Sequence, residues 1–199
     1  MLVYLPEVSR GGEKSPLVMI SHGLGGDRTS FAYVAKHLAS YGFAVAVVEH
    51  PGSSSAQVEA LFVGETSQGI EPDDMIRRPT SIHTLLDDLE TAARTSAIAS
   101  NVNFQKVGVL GQSLGAYTAL ALAGATVQRS ALEQACPSEL SAQLNLSLLV
   151  QCPILTLPQP LPPLGDRRIR AAIAINSLDS AVFGPAGMKQ LASLSSRLI

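Results

Sequence analysis

The sequence predicts an α/β domain: a mostly parallel sheet with helices on both faces. Three observations carry this. Four short apolar runs, residues 17–20, 43–48, 106–110 and 169–175, read as strands buried on both sides. Segments with apolar residues at helical spacing lie between them, so strands and helices alternate. Two of the strands end in glycine-containing turns that lead straight into a helix.

In order, the chain opens with a short apolar segment, residues 2–5, closed by Pro6 and a turn through Gly11 and Gly12. Leu17-Val18-Met19-Ile20 then ends in Ser21-His22-Gly23-Leu24-Gly25-Gly26-Asp27. Phe31, Val34, Ala35, Leu38 and Ala39 share one face of a helix that Gly42 stops. The run 43–48 leads into Glu49-His50-Pro51-Gly52. Residues 53–80 are polar and read as a long loop with a short helix near 58–63. A helix begins near Pro79 or Thr80, because proline suits a first turn, with Ile82, Leu85, Leu86 and Leu89 on one face. The run 106–110 enters Gly111-Gln112-Ser113-Leu114-Gly115, and a small-residue helix over 116–123 follows. Residues 126–168 break the rhythm with a helix pair and a loop holding Pro153, Pro158, Pro160, Pro162 and Pro163. The run 169–175 restores it, and a small helix is expected near 188–194. The expected division is a core over 1–125, a cap-like insertion over 126–168, and a core strand with a terminal helix over 169–199.

Composition narrows the function. The 199 residues suit one domain, and the net charge is −2. Charged residues are 15% and hydrophobic ones 46%, against a usual charged share of about 25%, so the chain packs a core rather than staying disordered. The absence of a basic block argues against nucleic acid as a partner. No apolar stretch approaches the roughly 18 residues that cross a bilayer. The N-terminus lacks the layout of a secretory signal, so a cytoplasmic location is the default expectation. Neither metal-ligand spacing nor a dinucleotide glycine pattern is present, so no cofactor is expected. Cys136 and Cys152 are the only cysteines. They flank the insertion, and two readings stay open: a disulfide in an exported protein, or reduced buried thiols.

The pentapeptide around Ser113 matches Gly-x-Ser-x-Gly, and its setting between a buried strand and a small-residue helix is that of a nucleophile elbow. Glycines on either side give room for the tight turn. The turn exposes Ser113 Oγ where the next helix aims its N-terminal amides. Acyl transfer builds negative charge on a carbonyl oxygen, which backbone N–H groups stabilise. One such donor follows the nucleophile, here Leu114. The other comes from a turn after an earlier strand, where Leu24 is the candidate.

These segments, with Ala172-Ile173-Ala174-Ile175-Asn176, resemble the α/β-hydrolase superfamily. More narrowly they are similar to the dienelactone-hydrolase-like bacterial group, with kinship to platelet-activating-factor acetylhydrolases. Dienelactone hydrolases carry cysteine where residue 113 is serine, so the resemblance implies a serine esterase acting on a small-molecule ester. It implies a structural part for His22 in the oxyanion turn, and it matches Asn176 to the acid of the acetylhydrolases. Asn cannot stabilise an imidazolium as a carboxylate does. Asp179, three residues on, is a second acid candidate, or a solvated loop carboxylate.

The superfamily order is serine, acid, histidine, yet His22, His37, His50 and His83 all precede Ser113. His22 is close enough in the sheet to be weighed as a base. His50 falls a strand too far out, and His37 and His83 sit on helices. The expected fold therefore stops after the sixth-strand equivalent, about two strand–helix units short, with the acid and the histidine beyond residue 199. The last apolar strand is then an exposed edge open to self-association. The alternative is a catalytically inactive hydrolase-like binding module. Leu144, Leu146, Leu148, Leu149 and Val150 are expected to line an apolar pocket under a cap. Asp87 and Asp88 read as a solvated helix face; Arg77 and Arg78 read as a surface turn, with contact to an anionic substrate group as the alternative.

Overall fold

The computed structural model describes residues 1–7, 13–67, 71–96, 99–136, 145–177 and 180–193. Its strands are β1 Leu2–Tyr4, β2 Ser15–Ser21, β3 Ala44–Val48, β4 Val102–Gln112 and β5 Ile169–Ile175. They form one sheet in the order β1-β3-β2-β4-β5. β1 runs antiparallel to β3, and the other pairs are parallel. The helices are α1 Ala32–Ser40, α2 Ser55–Phe62, α3 Asp74–Ala92, α4 Leu114–Leu122, α5 Arg129–Ala135, α6 Leu146–Gln151 and α7 Ser180–Lys189.

Strand alternation sorts the core into two layers. Ala44, Ala46 and Val48 join Leu17, Met19, Val107 and Val109 under Ile82 and Leu86 of α3 and Ala119 and Leu122 of α4. Val45 and Val47 join Ile20 and Leu110 on the opposite face, under Val34, Ala35 and Leu38 of α1. The far side of α4 supports a third cluster. Tyr117 stacks on Phe183 at 5.2 Å, and Leu132, Ile154, Leu157 and Leu164 pack with them. Much of the segment 126–168 thus shares its core with α4 and α7. Leu144, the Leu146 side chain and Asp179 lie outside the described residues.

Several expectations need correction. α3 begins at Asp74, not near Pro79, and Pro79 lies inside it. The acidic Asp74 suits a helix N-terminus, and the proline removes a single i→i−4 bond, that to Met75, while the buried face continues past it. The polar stretch before it is correspondingly shorter and holds α2. α4 starts at Leu114 because Ser113 alone makes the turn. The small helix expected near 188–194 is present as a 3-10 turn over Gln190–Ser193; the addition is α7 before it, bent at Gly184 with φ 53° and ψ 178° just before Pro185.

Helix cover is also uneven. Among the described residues β5 pairs with β4 alone, and Ile173 and Ile175 are 54% and 40% exposed. An apolar groove of about 430 Å³ runs between Val34 and Leu38 of α1 and Ile173 of β5. The cause is placement: α1 connects β2 to β3 and lies over them, while α7 packs on α5.

Cys136 and Cys152 are joined in a disulfide with a Cα–Cα distance of 5.8 Å. It ties the end of α5 to the end of α6 across a sequence separation of 16. Closing a loop of this size removes unfolded-state entropy worth about 3 kcal/mol. Replacing both cysteines by serine is therefore expected to lower the urea midpoint by an equivalent amount. An unchanged midpoint would mean that packing alone holds the two helices.

Candidate active site

Ser113 stands between β4 and α4 with φ 55° and ψ −118°. Such a backbone is sparsely populated for an L-residue and costs on the order of 1–3 kcal/mol. Three approaches impose it. A Cβ on Gly111 would lie 1.9 Å from the Gly115 carbonyl oxygen, and one on Gly115 would lie 2.0 Å from that of Ser21. The Ser113 amide donates to the Ile175 carbonyl at 2.9 Å, so β5 pins the turn as well. The Ser113 side chain caps nothing and is half-buried at the C-terminal edge of the parallel strands.

The turn after β2 lies directly against it. A Cβ on Gly23 would be 3.1 Å from Ser113 Cβ and 2.7 Å from Gln112 Oε1. Leu24 follows, 43% exposed. Gly25 takes φ 73° and donates its amide to the Ser53 carbonyl at 2.9 Å. Among the described residues, neither the Leu24 nor the Leu114 amide has a protein acceptor. The structure thus brings Ser113, Leu24 and Leu114 into one corner of the molecule.

The histidines do other work. His22 Nδ1–H donates to the Gly23 carbonyl at 2.6 Å, and Nε2 accepts the His50 amide at 3.1 Å. Nε2 must be bare to accept that proton, so both ring nitrogens are committed. His50 Nε2 meets Ser21 Oγ at 2.9 Å. Burial pushes both rings below the usual histidine range. His50 falls to about 2, with the charge of Arg78 adding to the effect, while the bond to Gly23 partly opposes it at His22. His83 bonds the Leu164 carbonyl at 3.0 Å, and His37 lies against Tyr41. No histidine hydrogen-bonds Ser113 among the described residues. Asn176 directly follows the Ile175 that accepts the Ser113 amide, and takes φ 49°.

One expectation fails outright. Arg77 and Arg78 do not share a surface turn. Arg77 is half-exposed and pairs with Asp74 at 2.9 Å and Glu71 at 3.4 Å. Arg78 is 1% exposed and reaches Ser21, His22, Ser53 and Thr118. The signal was present in the sequence, since Arg78 precedes Ile82 by four and Leu86 by eight, one helical face. It was hidden by starting the helix at Pro79. Among the described residues no cluster of His, Cys, Asp or Glu could hold a metal, and no helix is long and apolar enough to cross a membrane.

Residues 3–81 match the family described as platelet-activating factor acetylhydrolase, isoform II. The chain is 36% identical over 103 residues to the platelet-activating factor acetylhydrolase of Canis lupus familiaris, covering 47% of this chain and 22% of that protein. It is 51% identical over 47 residues to that of Bos taurus, covering 24% and 11%. The chain therefore spans less than a quarter of the length of these relatives. Among solved structures, a ferulic acid esterase from Streptomyces cinnamoneus matches at 26% identity and a TM-score of 0.38, over 54% of this chain and 32% of that one. Parallel strands alternating with helices, and a strained serine turn between β4 and α4, define the class: an α/β-hydrolase fold. Within that class, residues 3–81 are similar in sequence to the platelet-activating factor acetylhydrolases.

Proposed function

We propose that this chain carries the nucleophile and the oxyanion-binding turn of a serine carboxylic-ester hydrolase. Ser113 Oγ attacks the ester carbonyl, and the amides of Leu24 and Leu114 hold the oxygen that gains charge. The observation that carries the reading is the strained Ser113 turn set against Gly23, beside two amides that have no acceptor among the described residues. The acid and histidine come from chain outside these 199 residues. Two facts support this: the four histidines all precede Ser113, with His22 and His50 committed to buried hydrogen bonds, and the curated relatives are several times longer than the matched stretch. The substrate is a small-molecule ester, and the name of the relatives points to a short acyl group. The disulfide supports an oxidising compartment over the cytoplasmic default.

Fluorophosphonate labelling of the full-length protein tests the reading. Strong labelling of the wild type and none of Ser113→Ala is expected, whereas equal labelling of both would remove Ser113 from the chemistry. The 199-residue chain alone, with no base on Ser113, is expected to hydrolyse p-nitrophenyl acetate near background. A Ser113-dependent rate typical of esterases would place the base among the residues described above.

A further inference from the structure

We infer that Arg78 is the positioning residue that holds the two oxyanion-binding amides in register with each other; this rests on the ester-hydrolase reading above. α3 carries Arg78 on the same face as Ile82 and Leu86, against the sheet. Its guanidinium ends at the C-terminal edge of β2, where it is 1% exposed. A guanidinium offers five N–H donors in a fixed fork. Here the fork meets four acceptors on three separate segments. One terminal nitrogen donates to the His22 carbonyl and, at 3.3 Å, to Ser21 Oγ. The other donates to Ser53 Oγ at 2.5 Å, and Nε donates to Thr118 Oγ1 at 3.2 Å.

Each contact leads to one side of the site. The His22 carbonyl is two residues before Leu24. The Ser53 carbonyl accepts the amide of Gly25, one residue after Leu24, at 2.9 Å. Thr118 Oγ1 in turn donates to the Leu114 carbonyl at 3.2 Å. A single planar group thus braces the Leu24 turn on both flanks and the first turn of α4 that bears Leu114. The two sides also meet directly, at Gly115 against the Ser21 carbonyl and at Gly23 against Ser113; Arg78 adds directional hydrogen bonds to these steric approaches.

The electrostatics fit a geometric task. No carboxylate bonds Arg78 among the described residues. Asp74, whose charge Arg78 feels, is taken by Arg77 at 2.9 Å and by the Glu71 amide at 3.1 Å. An unpaired buried cation is expensive, and an apolar side chain on this face would bury at lower cost. Burial lowers the Arg78 pKa to about 9, partly offset by the charge of Asp74, so the group stays cationic at neutral pH. Its positive charge then sits behind the turn where negative charge develops during acyl transfer.

The test uses the full-length protein with p-nitrophenyl acetate and two variants, Arg78→Lys and Thr118→Val. Lysine keeps the charge but cannot span the fork's acceptors. Valine keeps the shape of threonine and removes the hydroxyl through which Arg78 Nε reaches the Leu114 carbonyl, while the bonds of Arg78 to His22, Ser21 and Ser53 remain. The expected result for Arg78→Lys is a Tm near wild type, kcat down about 100-fold, the scale of losing an oxyanion donor, and KM within about threefold. Thr118→Val is expected to fold and lose about tenfold in kcat alone. Restoration of wild-type kcat by lysine, a loss confined to KM, or an unchanged kcat in Thr118→Val would overturn the inference. Should Arg78→Lys fail to fold, Thr118→Val decides alone. Failure of the ester-hydrolase reading looks different: the wild type itself would show no labelling at Ser113.

Discussion

Gly115→Ala is expected to prevent stable folding, at a cost of about 4 kcal/mol or more, a large part of the stability of an ordinary domain. The new Cβ would stand 2.0 Å from the Ser21 carbonyl oxygen and 2.8 Å from that of His22. Both are backbone atoms, and no rotamer change can move them. Ser21 ends β2 and His22 follows it directly, and β3 and β4 hold β2 on either side. Relief would require α4 to lift from the sheet, taking Ala119 and Leu122 out of the core. Gly111→Ala meets the same obstacle at 1.9 Å from the Gly115 carbonyl oxygen. Neither glycine has a positive φ, so each is needed for space and not for an unusual backbone. Gly64 is the opposite case, with φ 77° and nothing within 4 Å of its Cβ position, and its alanine variant is expected to cost only about 1 kcal/mol. Thermal unfolding and soluble yield of the three variants check this. A Gly115→Ala protein melting with the wild type would show that α4 does not approach β2 as described.

That pair of glycines was readable in the sequence because both flank Ser113 within one pentapeptide, and local spacing reports local geometry. The strands were readable for a similar reason. β3 is five consecutive Ala and Val residues, all buried, a pattern that fits a strand packed on both faces. Arg78 was not readable as placed, because a single misjudged helix start moved it to a surface turn. Its four partners lie 25 to 57 residues away in sequence, and nothing local foretells such a meeting. The pairing of Cys136 with Cys152 has the same character. It depends on α5 and α6 ending side by side, which is decided by their shared packing around Tyr117 and Phe183. The uneven cover of the sheet also escapes the sequence. Ala-Ala-Ile-Ala-Ile reads as a buried strand whether or not a helix lies over it.

Stability is expected to fall steadily as the pH drops below 6.5, and His50 is the main cause. Its ordinary pKa is 6.5, and in the fold it is about 2, lowered by burial and by the charges of Arg78 and His22. Between these values the unfolded chain takes a proton that the folded chain refuses. The contribution is therefore fully present above pH 6.5 and is lost on acidification, by about 1.4 kcal/mol per pH unit, until the folded pKa is reached. By pH 4.5 this amounts to about 3 kcal/mol for His50, and His22, lowered in the same direction, adds to it. Exposed carboxylates titrate mostly below about 4.5, so the interval from 6.5 to 5 isolates the histidines. Urea midpoints at pH 7.5, 6.5, 5.5 and 5.0 measure the slope. His50→Gln keeps an acceptor for Ser21 but has no proton to gain, and is expected to flatten most of it. Equal midpoints at pH 7.5 and 5.0, or a slope untouched by His50→Gln, would count against the buried, neutral pair. The same protonation bears on the site itself. A second proton on His22 could only go to Nε2, the atom that accepts the His50 amide. Charging it breaks the link from the end of β3 to the turn that bears Leu24, so acid should loosen that turn before the sheet unfolds.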